Sequence, residues 1–440
     1  MKKVLAIALV LIMAFGAFAC QAAPAASNNT PSTETAEKPA AAPAQQEAPK
    51  ADAADAPAAE AQADHPAWLT DDGKCACGKC NVDMSKYSPY IQELIYNAHV
   101  NGETLTVYGA CDESYVKAAA AKFGELFEIE TNATRYATGE MFTKTDEEKN
   151  NPQADVWFGG SNDYYFKAKD AGLLQAYEPE NKKNLIDNPA FIDVDYEWVG
   201  IYTGVLGIMF NKEEGADLGL EAPKSWADLA DPKWTDAQGN KLIAVPNPET
   251  SATATNFLAT QKYRFGYPEK LDSEGLAAYL KAFDANVCQY TKSGSGPSKM
   301  VGPGECVVGI SFLHDGVAQI ANGYDNIQLI VPEDGTGFEV GAAAMVKNDK
   351  NPNASKLFIE YCLTADCVNM GKDYQSMQNL VITEEAGAIQ PELLKQFGLD
   401  DLSKLNLVPY DVADVAPQLN TWTQEWLQIV GSDDRHQKKS

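Results

Sequence analysis

CQYTKSGSGPSKMVGPGECVVGISFLHD, residues 288–315, joins a glycine- and serine-rich loop to an apolar run and a polar pair. The run CVVGISF predicts a buried strand, and His314 and Asp315 follow its end. Glycines let backbone amides approach a ligand closely, and Ser293 and Ser295 add hydroxyl donors. Because open α/β sheets place ligands outside the carboxyl ends of their strands, this segment predicts a binding site. A surface loop followed by a core strand is the simpler alternative.

The chain begins with the pattern of an exported protein. Two lysines precede an apolar stretch, which predicts a signal peptide over residues 1–19. The run AFAC, ending at Cys20, resembles the cleavage and lipidation signal of bacterial lipoproteins, and an ordinary secretory signal cleaved near Cys20 is the alternative. Residues 20–64 are rich in Ala, Pro and Glu and predict a disordered linker behind the lipidated cysteine. The mature chain is therefore expected outside the cell membrane, held to its surface by lipid.

The overall charge excludes one class of partner. The formal net charge is -27, with 35 Lys and Arg against 62 Asp and Glu. Nucleic-acid binding is not expected, because phosphate backbones are held by Lys and Arg. The three arginines are Arg135, Arg264 and Arg435. An anionic ligand should therefore be held mainly by backbone amides, hydroxyls and helix N-termini.

From residue 103 onward, apolar strand patterns alternate with helical ones. LTVYG (105–109), FEIETNATRYA (127–137) and ADVWFGG (154–160) are each followed by a helical pattern. This repetition predicts an α/β fold with a mainly parallel sheet. Right-handed crossovers place the ends of such strands at one edge of the sheet.

Several segments resemble a known family. NPQADVWFGGSNDYYFKAKDAGLLQAY (151–177), EWVGIYTGVLGIMFN (197–211), IAVPNPETSATATNFLA (243–259) and PEDGTGFEVGAAAMVK (332–347) occur in family order. Together with residues 288–315 they resemble type II periplasmic substrate-binding proteins of ABC importers, in the ferric-iron-type group. The resemblance covers roughly residues 103–370.

The resemblance implies an α/β, two-lobed type II periplasmic-binding-protein fold with mixed, mainly parallel sheets and crossing hinge strands. The crossings are expected near residues 204–211 and 341–347. The expected domains are a cysteine-containing extension over 65–102, lobe one over 103–205 with 345–440, and lobe two over 206–344. The implied partners are a small-molecule ligand and the importer's permease. The protein is expected to be a monomer without a cofactor and not an enzyme.

The residue types after the 306–312 strand bear on the ligand. Ferric-binding relatives carry adjacent tyrosines there, whereas this chain has Leu313, His314 and Asp315. The resemblance therefore implies a phosphorylated sugar or similar organic phosphate, whose hydroxyls bond to His314, Asp315 and Glu339. The alternative is a ferric-binding protein that uses the same three side chains. The phosphate would bond to amides and hydroxyls in three turns: Ser161 and Asn162; Ser251 and Thr253; and Ser293, Gly294 and Ser295.

Nine cysteines leave eight if Cys20 carries lipid. An even number in an oxidising compartment suggests disulfides. The candidate pairs are Cys288 with Cys306 and Cys362 with Cys367. The sequence does not fix the connectivity.

A second cysteine group lies in KCACGKCNVDM, residues 74–84. Disulfides stapling the extension, with Cys111 as a further partner, are the preferred interpretation. Cys75, Cys77 and Cys80 could instead bind a soft metal such as Cu(I), which would indicate a metal or redox lipoprotein. No metal is assigned on the sequence alone.

Overall fold

A computed structural model describes residues 66–431 and 434–436. The predicted signal peptide, the lipidation site at Cys20 and the linker lie outside these residues. Within the described part, no helix combines the length and the apolar character needed to cross a bilayer.

Eleven strands are present in the described residues. They are β1 (Leu105–Gly109), β2 (Thr131–Arg135), β3 (Val156–Ser161), β4 (Leu174–Gln175), β5 (Val199–Asn211), β6 (Ile243–Pro246), β7 (Val287–Thr291), β8 (Val308–Phe312), β9 (Ile327–Ile330), β10 (Phe338–Val346) and β11 (Asn379–Leu380).

The α-helices of the described chain alternate with these strands through its first two thirds. They are α1 (Pro89–Asn101), α2 (Glu113–Phe127), α3 (Thr138–Glu148), α4 (Asn162–Asp170), α5 (Lys212–Asp217), α6 (Ala252–Arg264), α7 (Ser273–Ala285), α8 (Gly296–Val301), α9 (Leu313–Ala321), α10 (Pro352–Cys362), α11 (Ala365–Val368), α12 (Glu392–Gln396), α13 (Val412–Val415) and α14 (Leu419–Val430).

The strands form two parallel groups joined by antiparallel strands. The order is β2-β1-β3-β10-β5-β8-β6-β7. Strands β2, β1 and β3 are parallel, as are β8, β6 and β7. Strands β10 and β5 run antiparallel between the groups. The sequence prediction of a mixed α/β fold with helix-connected parallel strands is confirmed.

Strand β5 carries the chain from one group to the other. It pairs with β10 up to Val205 and with β8 from Leu206 onward. All of its residues are buried, which agrees with its mainly apolar sequence. The switch lies inside the expected crossing at 204–211. Strand β10 already pairs with β5 at Phe338, so the second crossing precedes the expected 341–347.

Each parallel group has its own apolar core. The core around β1 and β3 includes Phe123, Val156 and Phe358. The core around β6 and β8 includes Trp226 and Ile310. We refer to these two bodies as the first and second lobes.

The C-terminal segment contacts both lobes. Val415 packs in one cluster with Tyr164 of the first lobe, whereas Trp426 of α14 belongs to the core of the second. The expectation that all of 345–440 belongs to lobe one is therefore wrong for α14. The sequence pattern correctly indicated a packed helix there but not its partner, because an amphipathic stripe does not say which core it covers.

The extension before β1 is an integral part of the first lobe. Its helix α1 begins after Ser88, whose hydroxyl accepts a hydrogen bond from the Ile91 amide, and it ends at Gly102 with φ +66°. Leu94 and Ile95 are buried in the first-lobe core. The predicted N-cap and helix are confirmed.

The cysteine pairs lie at several places in the fold. The sulfurs of Cys288 and Cys306 are 2.8 Å apart and unbonded. Cys362 and Cys367 are both buried in the first-lobe core. These two disulfides remain predictions. Cys111 is not part of the group formed by the cysteines of residues 75–80, contrary to the idea that it is their partner.

Candidate functional site

Several strand-to-helix turns surround a cleft that is partly open to solvent. They follow β1, β2, β3 and β8, and a further turn precedes α6. The position agrees with the rule that ligands bind beyond the carboxyl ends of parallel strands. The lining consists of Ala110, Cys111, Asp112, Arg135, Ala137, Thr138, Gly160, Tyr202, Ser251, Ala252, Thr253, Gly294, Ser295, Phe312, His314, Asp315, Glu339, Gln375, Ser376 and Gln378.

Two helix N-termini meet at this cleft. Helix α3 belongs to the first lobe and begins after Ala137, and α6 belongs to the second and begins after Ser251. A methyl group added at Gly139 would lie 3.2 Å from the carbonyl oxygen of Thr250. Ser251 makes no side-chain cap, which leaves the first amides of α6 available to a ligand. Converging N-termini present partial positive charge and favour an anion.

His314 lies beneath the cleft against strand β5. A side chain at Gly204 would lie 2.6 Å from the imidazole ring, so only glycine leaves room for the ring there. The ring stacks on Phe312, and its Nε2 is 3.7 Å from an Asp315 oxygen. Burial lowers the pKa of His314, although the nearby Asp315 opposes this effect. Nδ1 is buried without a hydrogen-bond partner among the described residues, so a ligand hydroxyl could satisfy it.

Two buried carboxyl groups lie close to the cleft. Burial raises the pKa of Glu339 well above its usual value, and Asp315 and Asp163 reinforce this. Burial also raises the pKa of Asp163 to about 7, although hydrogen bonds from Tyr164 and other groups oppose it. Thr255 of α6 donates a 3.3 Å hydrogen bond to Asp163 of α4, which connects the two lobes. A protonated Glu339 can donate as well as accept a hydrogen bond.

The glycine-rich loop is held at the cleft by Ser311. Its hydroxyl is 2.6 Å from both the Gly294 carbonyl oxygen and an Asp315 carboxylate oxygen. A methyl group at Gly294 would lie 2.0 Å from Thr253 Oγ1. The loop therefore approaches the start of α6 as closely as the backbone allows.

The structure brings together most of the residues predicted for the site. Those that line the cleft are Ser251, Thr253, Gly294, Ser295, His314, Asp315 and Glu339. Their contact with a ligand remains a prediction.

Three predicted residues do not line the cleft. Ser161 and Asn162 are buried, and Gly160 takes their place at the wall with φ +85°. The carbonyl of Ser293 accepts a hydrogen bond from the Thr291 hydroxyl within the loop. Ser161 and Asn162 are buried because of the turn before them. Its two successive glycines have positive φ, which directs the following side chains beneath the cleft wall.

Sequence reasoning missed several lining residues. Arg135 ends β2 and its Nε donates a 3.3 Å hydrogen bond to the Cys111 carbonyl. The rule that ligands bind beyond the carboxyl ends of strands would have found Arg135 and Thr138, because they lie at and just after the end of β2, which was predicted. Gln375, Ser376 and Gln378 come from an irregular segment that carries no comparable signal.

A ferric site at the polar pair receives no geometric support. Among the described residues, His314, Asp315 and Glu339 do not form a group of converging metal ligands. Among these residues, a group of converging metal ligands is formed instead by Cys75, Cys77 and Cys80 of the extension.

The comparisons with known proteins agree with this architecture. Residues 151–385 match the family model described as bacterial extracellular solute-binding protein. An uncharacterised protein of Haemophilus influenzae is 34% identical over 336 residues, covering 74% of this chain and 90% of the relative. A probable ABC transporter periplasmic-binding protein of Sinorhizobium fredii, y4fP, is 27% identical and covers 73% of this chain and 85% of the relative.

Solved structures give the same result at the level of fold. The periplasmic binding protein AfuA from Actinobacillus pleuropneumoniae, with fructose-6-phosphate bound, is 31% identical with a TM-score of 0.67, covering 74% of this chain and 98% of that one. Iron-bound HitA from Pseudomonas aeruginosa is 20% identical with a TM-score of 0.58. The match covers 73% of this chain and 99% of HitA. The second similarity concerns the fold alone.

Proposed function

Because this chain belongs to the family of bacterial extracellular solute-binding proteins, we propose that it captures an organic phosphate, such as a phosphorylated sugar. Binding proteins of this family deliver small ligands to the permeases of ABC importers, and the family is one of transport proteins. The proposal concerns the ligand class, and the importer's permease would be the partner that receives it.

The observation that carries the proposal is the meeting of α3 and α6 at the cleft. Their N-termini come from different lobes, and Thr250 lies against Gly139 between them. Arg135 is the permanently cationic side chain in the described lining. A phosphate group held by amides of both helices and by Arg135 would join the two lobes. Charge-assisted hydrogen bonds of this kind are about twice as strong as neutral ones.

The remaining polar groups suit the hydroxyls of a sugar. Neutral His314 offers one donor and one acceptor, and protonated Glu339 does the same. Asp315 is half-buried and can accept from two neighbouring hydroxyls. AfuA was solved with fructose-6-phosphate bound, which supports the same ligand class for this chain.

Isothermal titration calorimetry with fructose-6-phosphate, fructose and inorganic phosphate tests the proposal. We expect the phosphate ester to bind more tightly than either fragment, since it engages both halves of the cleft. Arg135→Gln should weaken binding of the ester and of inorganic phosphate. Micromolar binding of Fe(III) by protein that gives no thermal shift with any organic phosphate would contradict the proposal.

The anchor is a separate proposal. We expect Cys20 to carry the lipid and residues 20–64 to tether a monomeric binding body to the membrane surface. Replacement Cys20→Ser should release the chain from the membrane fraction without changing its ligand affinity. If the Cys20→Ser variant stayed entirely in the membrane fraction, the anchor proposal would be contradicted and the ligand proposal would be unaffected.

A further inference from the structure

The loop that precedes α1 brings three thiols together. The Sγ atoms of Cys75, Cys77 and Cys80 all lie within 4.8 Å of one another. The sulfurs of Cys77 and Cys80 are 3.4 Å apart. Cys75 and Cys80 are buried, and Cys77 is half-buried, so the group has one side open to solvent.

The loop has a defined conformation. Gly78 adopts φ +67°, which lets the chain turn between Cys77 and Cys80. The Lys79 amide donates a 3.3 Å hydrogen bond to the Cys77 sulfur. This hydrogen bond helps to fix the position of the Cys77 sulfur within the loop.

Neighbouring elements hold the loop in place. The Lys79 ammonium donates hydrogen bonds to the His99 and Val100 carbonyls, at 3.0 and 2.8 Å, at the end of α1. Isolated bridges pair Leu69 with Cys75 and Lys74 with Asp83. The sulfurs are therefore positioned by the fold of the first lobe rather than by each other.

We propose that Cys75, Cys77 and Cys80 form a site for one Cu(I) ion. Three thiolates about 2.3 Å from one metal ion in a plane lie about 4 Å from one another, which agrees with the observed spacing. Soft thiolates select Cu(I), Zn or iron–sulfur clusters. Structural zinc takes four ligands, and no fourth Cys, His, Asp or Glu of the described residues joins the group. Three-coordinate Cu(I) therefore fits better than zinc.

A disulfide is the competing fate of these cysteines. It joins two sulfurs at about 2.05 Å and leaves the third thiol beside the bond. A free thiolate in that position attacks the disulfide and exchanges partners. One metal ion uses all three sulfurs and leaves no odd thiol, which favours the metal site.

The test uses the full chain, purified under reducing, oxygen-free conditions and titrated with Cu(I) in the presence of bathocuproine disulfonate as competitor. We expect one Cu(I) per chain, and X-ray absorption should show three sulfurs at about 2.3 Å. Cys77→Ser should weaken retention at least tenfold. The matched control, Cys288→Ser with Cys306→Ser, should retain copper like the wild type.

Two results would overturn the site. One is that the wild-type chain retains no more Cu(I) than the triple variant Cys75→Ser, Cys77→Ser, Cys80→Ser. Circular dichroism must show that both proteins are folded. The other is a disulfide between Cys77 and Cys80 in protein isolated from its native compartment. Because the cysteines lie outside the cleft, copper loading should leave fructose-6-phosphate affinity unchanged, so the two proposals fail separately.

Discussion

His314 and Glu339 are adjacent to the same glycine of strand β5. Gly204 pairs with Glu339 in the sheet register, and a side chain there would collide with the His314 ring. The small residue thus lets two polar groups share a buried position beside the cleft. Their chemistry follows from burial, which favours the neutral form of each.

Removing either group should weaken ligand binding. We expect His314→Ala and Glu339→Ala each to cost roughly 1–3 kcal/mol of binding free energy, since hydrogen bonds are lost and partners are left unpaired. Glu339→Gln should cost less than Glu339→Ala, because an amide also donates and accepts. Calorimetry with fructose-6-phosphate measures this, and His99→Ala, which is not among the residues that line the cleft, is the control. Unchanged affinity in both alanine variants would remove the two residues from the site.

Asp163 gives a prediction about pH. Its pKa rises from 3.8 to about 7 on folding, so the folded state binds the proton more tightly. The contribution of Asp163 to stability should therefore be full below about pH 4, fall as pH rises to about 7, and then stay level. Asp163→Asn should lack this loss. Urea unfolding of both proteins at several pH values measures the difference, which includes the effect of the Asp163 charge on the pKa of Glu339. Parallel pH curves for the two proteins would contradict it.

At the level of elements, the cleft depends on how closely the glycine loop approaches α6. Gly294→Ala would place a methyl group 2.0 Å from Thr253 Oγ1, so the loop must move away from the helix start. We expect at least a tenfold loss of affinity for fructose-6-phosphate with little loss of stability.

The matched control for this variant is Gly302→Ala. Its added methyl would meet the ring of Tyr324 at 2.6 Å, but Tyr324 is 37% exposed, so its side chain can turn toward solvent. The Gly302→Ala variant should therefore bind fructose-6-phosphate with the same affinity as the wild type. Equal losses in the two variants would mean that the loop's position at α6 is not what sets the affinity.

The sequence predicted the elements better than their exact contacts. Alternating strand and helix patterns identified β1, β2 and β3, and the apolar run CVVGISF identified β8. The expectation that ligands bind beyond strand ends led to His314. The same rule failed for Ser161, because the glycine turn before it buries the side chain. Arg135 was missed although it ends a recognised strand. The packing partner of α14 could not be predicted, because an apolar helix face does not specify which core it packs against.

At the level of the whole molecule, the lobes touch beside the cleft. Lys292 and Glu140 form a 2.8 Å ion pair between them, and Thr255 bonds to Asp163. The first contact involves α3 and the second involves α6. A ligand that binds both helices should stabilise this closed arrangement over an open one.

Closure can be tested at Gly139. A leucine at this position would push against Thr250 and hold the lobes apart. We expect Gly139→Leu to weaken fructose-6-phosphate binding and to abolish a ligand-induced decrease in the radius of gyration. Small-angle X-ray scattering with and without ligand measures the change. A wild-type radius that is the same in both states would contradict closure.

The most direct test of the central claim is mass spectrometry of the ligand that co-purifies with the protein from its natural host, without refolding. The ligand is released by acid and identified by its exact mass and phosphorus content. The account predicts a phosphate ester of a small polyhydroxylated molecule at up to one equivalent per chain. Stoichiometric Fe(III), or a ligand that contains no phosphorus, would contradict it.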